Sequence, residues 1–384
     1  MYGAISAVKL LFSAWVLTHL RIRLGRLLNK NETRFLERYV NADIVISCGG
    51  GFLNDYSVRS LINNLVKISL STVLRKPTVI YGQSIGPFQR RLWAIITAQV
   101  LKRVDMILIR EEISRELLKN LGVDKPRVFL TADAAFTLCP VDKKSVLKLM
   151  LREKIDPEDR PLVGITVRKW FFPKSNRPLD EYENYLYTIG RVIDYIVDRM
   201  DATIILLPQV TVHPNDDDRF AATKLCQLVK HPEHVRNLVT DFSPQEIKGI
   251  IGELDLFIGT RMHSNIFALA MRVPTVAISY EHKTEGIMSM LGLQRYVIPI
   301  DKLRFEDIIA KVDDAWENRE KLREDLLPKI KKMQANALLN ARLVKEFVLA
   351  NAKALTRANP DIRYINTITK HKPLRPSRKT RMVK

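Results

Sequence analysis

The stretch Leu254 to Ala270 narrows the fold more than any other. A short apolar run of period-two character, Leu254 to Ile258, breaks at Gly259, and apolar residues at helical spacing follow: Met262, Ile266, Leu269 and Ala270. The pattern is a strand, a tight turn and a helix. In open α/β sheets, ligands collect outside the carboxyl ends of the strands, where the free N–H groups of a following helix attract anions. Arg261 and His263 stand at that place.

The same unit recurs along the chain. Asp43 to Ser47 reads as a buried strand running into Cys48-Gly49-Gly50-Gly51, after which Phe52 to Asp55 lead to a helix over about Val58 to Leu74. Glycines after a strand let a ligand or another backbone approach closely. A strand at Thr78 to Tyr81 and the segment Gly82 to Phe88 precede a helix from about Arg90 to Val104, and the unit repeats at Met106 to Ile109, Glu111 to Asn120 and Arg127 to Leu130. The second half opens on a strand at Leu162 to Val167 ending in Arg168. A long helix at about Tyr182 to Met200, a strand at Thr203 to Leu207 ending at Gln209, and a helix at Arg219 to Val229 follow. Ser243-Pro244-Gln245-Glu246 is a capping box with Pro at the first helical position. Beyond the central stretch come a strand at Thr275 to Ser279, a loop at Tyr280 to Lys283 facing the same cleft, a helix at Thr284 to Leu291, and helical sequence from Phe305 to Leu349, long enough to cross back over the first half. Strands alternating with helices imply parallel sheets with right-handed crossovers. The charged, proline-bearing segment Val141 to Arg160 reads as a linker with one short helix. It places a boundary near residue 155, which gives domains at 1–154 and 155–357 and a basic tail at 358–384.

Charge narrows the partners. Lys and Arg number 62 against 42 Asp and Glu, a net +20, which favours anionic ligands or surfaces without requiring specific nucleic-acid binding. Three separated cysteines point to neither a disulfide framework nor zinc, and a reducing cytoplasm is the expected compartment. His231 and His234 have ligand-like spacing, but Pro232 lies between them and no ligand cluster adjoins, so no metal is expected. Asp216, Asp217 and Asp218 are the acids that a helix N-terminus favours. Ala4 to Leu28 is interrupted by Lys9, His19, Arg21 and Arg23, too polar to span a membrane. With Val8, Leu11, Trp15, Thr18 and Ile22 on one face, it reads either as a helix covering the core or as a helix lying on the inner face of a membrane.

Two such halves facing each other across a cleft describe the GT-B architecture, and the motifs go further. The chain resembles the polysaccharide pyruvyl transferases in Ala42 to Gly51, Gly82 to Pro87, Arg110 to Ser114, Ala132 to Phe136, Gly164 to Arg168, Gly259 to His263 and Tyr280 to Lys283, seven pieces in the family's order. The resemblance implies transfer of a pyruvyl group from phosphoenolpyruvate to sugar hydroxyls as a ketal, with no cofactor, on a lipid-linked or polysaccharide acceptor. It places the donor against Arg168, Arg261 and His263; Lys283 is a further donor-binding candidate, and His263 is the nearest acid for the proton the donor must receive. Two arginine forks suit a carboxylate and a phosphate. Cleft or acceptor positions are expected at Gly50, Gly51, Asn54, Asp55, Gln83, Ser84, Asp133, Gln209 and Glu281. Family members typically carry a further strand and glycine loop ahead of the first helix, whereas this sequence starts at the helix. Two other readings stay open: a GT-B glycosyltransferase using a nucleotide sugar, and an inactive binding or scaffold relative.

Overall fold

The computed structural model describes residues 4–22, 27–123, 127–159, 161–173, 175–211 and 216–358; Arg23, Arg160 and the basic tail beyond residue 358 lie outside them. The first half runs α1 (Ala4–Leu20), α2 (Lys30–Val40), β1 (Val45–Ser47), β2 (Gly50–Leu53), α3 (Val58–Val73), β3 (Thr78–Ile85), α4 (Arg91–Leu101), β4 (Met106–Ile109), α5 (Glu112–Asn120) and β5 (Arg127–Leu130). Its sheet is parallel, in the order β1-β3-β4-β5, with β2 continuing β1 along the same side of β3. The second half runs α6 (Lys143–Arg152), β6 (Leu162–Thr166), α7 (Pro178–Met200), β7 (Thr203–Leu206), α8 (Asp218–Cys226), β8 (Val235–Asn237), α9 (Pro244–Ile251), β9 (Leu256–Gly259), α10 (Met262–Ala270), β10 (Thr275–Ser279), α11 (His282–Met290), β11 (Val297–Pro299) and α12 (Phe305–Glu317). Its six parallel strands take the order β11-β10-β9-β6-β7-β8. Chain order therefore reverses between β6 and β9, the switch point of a doubly wound sheet. Together the halves make a GT-B-like α/β molecule.

Buried apolar strands explain the sheets. Every residue of β6, β7, β9 and β10 is buried, as expected of a parallel sheet covered by helices on both faces. The helices begin where the sequence places caps: Ser243 and Glu246 form a reciprocal capping box on α9, and Asp217 accepts from Arg219 N at the start of α8. The final helix, α13 (Arg319–Ala358), has 40 residues and runs about 60 Å at 1.5 Å per residue. Ile330, Met333 and Ala337 pack in the second-half core, whereas Phe347 packs with Val79, Met106 and Leu108 of the first sheet. Between them, buried Asn340 donates to the carbonyl of Ala132 and accepts from Thr131 Oγ1. One helix thus ties the halves together.

Several expectations are corrected. The strand at Asp43 to Ser47 is an edge strand with Ile46 exposed, because among the described residues β1 pairs with β3 alone. Helix α1 turns Ala7, Leu10 and Ala14 inward and leaves Val8 and Trp15 exposed, with Ile22 exposed just beyond its end, so the face these three mark is the outer one and not the side that covers the core. Small side chains at Ala7 and Ala14 let α1 pack closely, with Leu10 meeting Leu36 of α2 and Leu70 of α3. The segment expected as a linker with one short helix does carry that helix, α6, but it is part of the second-half core, where its Val146 and Met150 pack with Ile247 and Ile250 of α9. Gly259 ends a strand rather than starting the turn, and His282 and Lys283 already lie in the first turn of α11.

Candidate active site

The switch point is built from turns that local chemistry fixes. Thr166, at the end of β6, accepts from Thr260 N at 3.0 Å and lies 3.2 Å from Ser264 Oγ, locking the turn after β9 to its neighbour. A Cβ on Gly259 would stand 1.7 Å from Asn265 Oδ1, so glycine is needed for α10 to start so close to its strand. Arg261 is the N-cap residue of α10, and its side chain does not cap the helix.

The two arginines converge on one carboxylate. Arg261 is buried; its Nε lies 3.1 Å from both Asp218 oxygens, and its Nη2 reaches Asp218 at 2.5 Å and Asp216 at 2.7 Å. Arg168 Nη2 reaches the same Asp216 oxygen at 3.2 Å. The fork expected to grip a ligand is therefore engaged along its Nε–Nη2 edge by Asp218. Burial opposes the Arg261 charge, and Asp218 and Asp216 outweigh it, holding the guanidinium above its usual pKa. Burial raises Asp218, against the pull of Arg261 and the amides of Gln209 and Val210. Arg168 lies flat in an aromatic corner, 4.3 Å over Tyr280 and 5.1 Å over Trp170, whose rings are 4.7 Å apart.

Across the cleft, the first half supplies a second polar line. Asp133, buried after β5, accepts from Ala135 N on one oxygen and from Arg110 Nη1 at 2.5 Å on the other, and the oxygen that Arg110 holds lies 3.9 Å from His263 Nε2. His263 is half exposed; desolvation lowers its pKa, Asp133 opposes this, and Arg110, Lys283 and Arg261 add to it. Arg110 Nε donates to Ser84 Oγ at 2.7 Å, and Ser84 donates to Glu111 at 3.0 Å. Glu111, fully buried, also accepts from Ser114 and lies 3.8 Å from His282 Nε2 of the second half. Burial raises Glu111 and pushes His282 down to about 4. Lys283 Nζ pairs with Glu281 at 2.5 Å, and a Cβ on Gly51 would stand 3.4 Å from it, so the glycine loop lies directly against this pair.

The geometry thus brings together Arg168, Arg261, His263, Asp133, Ser84, Gly51, Glu281 and Lys283. Other expected positions serve the loops. Asn54 donates to the carbonyl of Gly51 and accepts from Tyr56 N, and Asp55 accepts from the amides of Gln89 and Arg90 just ahead of α4. Gln83 ties back to Cys48 and Ser47, and a Cβ on Gly50 would collide with the Phe52 ring. Gln209 gives its amide to Asp218, while its Oε1 is buried with no partner among the described residues. Reading by position missed Asp216 and Asp218, which looked like a helix entrance, and gave no role to Arg110, Glu111 and His282. The partners that join them across the site lie 23 to 171 residues away in the chain, and spacing carries no signal for such pairs.

A family model described as polysaccharide pyruvyl transferase matches residues 6–282. The amylovoran biosynthesis protein AmsJ of Erwinia amylovora is 28% identical over 295 residues, covering 76% of this chain and 70% of that protein. Among solved structures, a putative UDP-N-acetylglucosamine 2-epimerase from Listeria monocytogenes superimposes with a TM-score of 0.57 at 12% identity, over 92% of this chain and 95% of that one. Anabaena HepE, in complex with UDP-glucose, gives 0.56 at 12% identity over 90% and 97%. At such identities these structures are alike in fold alone.

Proposed function

The chain belongs to the polysaccharide pyruvyl transferase family, and from that premise we propose that it moves a pyruvyl group from phosphoenolpyruvate onto two hydroxyls of a sugar as a ketal. The similarity to an amylovoran biosynthesis protein supports an exopolysaccharide precursor, polymeric or lipid-linked, as the acceptor. The observation that carries the reading is the meeting of a half-exposed histidine at a helix N-terminus, two switch-point arginines and a carboxylate from the opposite half.

Chemistry assigns the roles. His263 protonates the methylene carbon of the donor, leaving an oxocarbenium-like centre at the neighbouring carbon, and a first sugar hydroxyl adds there. Loss of phosphate regenerates that centre, and a second hydroxyl closes the ketal. Two C–O bonds form and the C–O bond to phosphate breaks. Of the two hydroxyl protons, one replaces the proton delivered to the methyl group and the other leaves with inorganic phosphate. Arg168 and Arg261 hold the carboxylate and phosphate, aided by the first amides of α10. An arriving anion competes with Asp216 for both Nη2 groups, while Asp218 remains the fixed partner of Arg261. Asp133 steadies the charged imidazole, and Lys283 and Glu281 stand between donor and glycine loop.

Calorimetric titration tests this assignment. Phosphoenolpyruvate should bind, and Arg168→Ala and Arg261→Ala should each weaken it by about 1.5 to 3 kcal/mol, the range for a hydrogen bond to a charged group. Binding of UDP-glucose without binding of phosphoenolpyruvate would replace the reading with a nucleotide-sugar transferase. Binding of neither would leave a non-catalytic relative.

A further inference from the structure

Helix α1 is apolar on its outer side as well as its inner one. Ile5 (74% exposed), Val8 (67%), Phe12 (52%) and Trp15 (47%) follow at steps of three and four residues, which line one side of a helix. The row covers about 15 Å at 1.5 Å per residue, and exposed Leu20 at the end of the helix and Ile22 just beyond it follow. Leu10 and Ala14 are buried on the other side in a cluster with Leu36 and Leu70, so nothing on that side competes for the exposed row. A contiguous apolar strip on the surface of a charged protein marks a docking face.

Charge identifies the occupant. The helix contains no Asp or Glu; Lys9 flanks the strip, and exposed Arg21 stands just beyond it. Trp15 stacks on His19 with ring centroids 5.0 Å apart, a bulky apolar body with a polar edge of the kind that settles at the headgroup level of a bilayer. A net charge of +20 repels a second copy of the same chain and attracts an anionic surface. Among the described residues no helix is long and apolar enough to cross a membrane, so the contact is one of lying on the surface. We propose that α1 docks in the plane of an anionic lipid bilayer, with Ile5, Val8, Phe12 and Trp15 entering the acyl boundary and Lys9 and Arg21 at the headgroups. The inference is independent of the reaction assigned above, since none of these residues lines the cleft.

Flotation of the full chain with vesicles tests it, using phosphatidylcholine alone and phosphatidylcholine with phosphatidylserine. At low salt the protein should float with the anionic vesicles about tenfold more than with the neutral ones, and the excess should shrink as salt is raised. The double variant Phe12→Ser/Trp15→Ser, shown folded by an unchanged circular dichroism spectrum, should lose most of the anionic excess although the basic tail remains. Trp15→Phe should remove a vesicle-induced blue shift of fluorescence. Equal flotation of wild type and double variant would overturn the proposal, because the basic tail or another surface would then carry the binding. A wild-type dimer in sedimentation velocity that the double variant converts to monomer would also overturn it, giving the strip to a second copy.

Discussion

At the scale of single residues, the site turns on how His263 and Arg261 are surrounded. A catalytic acid must be charged, yet desolvation lowers His263 and three cations reinforce the effect, leaving Asp133 as the opposing carboxylate. The protonated fraction is therefore present below a pKa under the ordinary imidazole value and lost as pH rises through it. A bound dianionic phosphate reverses this balance, so donor binding near pH 7 should take up protons. Titration of phosphoenolpyruvate in two buffers of different ionisation enthalpy would show this, and His263→Gln should abolish the uptake. The same variant should lower kcat by about 10² to 10⁴, the usual contribution of a general acid, while donor affinity falls by less than about tenfold, the share the linked proton contributes. A tenfold loss of affinity with normal kcat would make His263 a binding residue instead. Asp216 leads to a second expectation. It shares its carboxylate between Arg168 and Arg261 and is partly exposed, so Asp216→Ala should tighten donor binding by removing a competitor. A weaker donor affinity in that variant would mean that Asp216 organises the arginines rather than competing for them. The sequence made Arg261 and His263 legible because their placement is local, two residues apart after a strand. Asp218 was not legible as a partner, because it reaches Arg261 from 43 positions earlier only after β6, β7 and β9 have been laid side by side.

At the scale of elements, period and capping signals carried well where burial is one-sided or complete. The units around β6, β9 and β10 were readable because their apolar runs end in residues that start helices. The short edge strands β8 and β11, of three residues each, have no such signature and exist because a neighbouring strand offers its ladder. The sequence left the facing of α1 open between core and membrane because the helix is apolar on both sides, so periodicity could not choose the inner side; α2 and α3 chose it. Element packing also gives a pH-dependent expectation. Lys248 of α9 is buried and donates to the carbonyls of Leu138 at 2.7 Å and of Ala135 and Phe136 at 3.4 and 3.5 Å, fastening the turn at Ala134–Thr137 to the second half. Burial pushes its pKa down from 10.5 to about 8. Between those values the unfolded chain holds a proton that the native state has released, so this group makes stability rise with pH across the window. Below about 8 the full penalty of the buried charge is present. Urea denaturation of wild type and Lys248→Met at pH 7.5 and 9.5 should therefore show a larger gain with pH in the wild type. Parallel pH dependences would show that Lys248 titrates normally.

At the scale of the whole molecule, the proposed reaction requires the halves to be held in register, because the arginines belong to one and the carboxylate facing His263 belongs to the other. The architecture was foreseeable from the alternation of strands and helices. The crossing back was legible too, from the length of the helical stretch Phe305 to Leu349; the contact that fastens it was not, since nothing in the sequence marks Asn340 among the other polar residues of that helix. Asn340 shows how it works: fully buried in the middle of α13, it holds the carbonyl of Ala132 at 2.9 Å and the hydroxyl of Thr131 at 2.8 Å, next to Asp133 in the chain. Removing its amide takes the donor from the Ala132 carbonyl, which costs about 1 to 3 kcal/mol, while Thr131 keeps the carbonyl of Ile109 as an acceptor. Asn340→Ala should lower the urea midpoint and let the segment carrying Asp133 shift relative to His263. Arg168, Arg261 and Asp218 share the second sheet and do not depend on that contact. Donor affinity should then stay within about threefold of wild type while kcat falls at least tenfold, under conditions where circular dichroism shows the variant folded. Equal losses in affinity and turnover would mean that α13 shapes the donor site itself. An unchanged kcat would mean that the alignment of Asp133 with His263 does not limit the reaction.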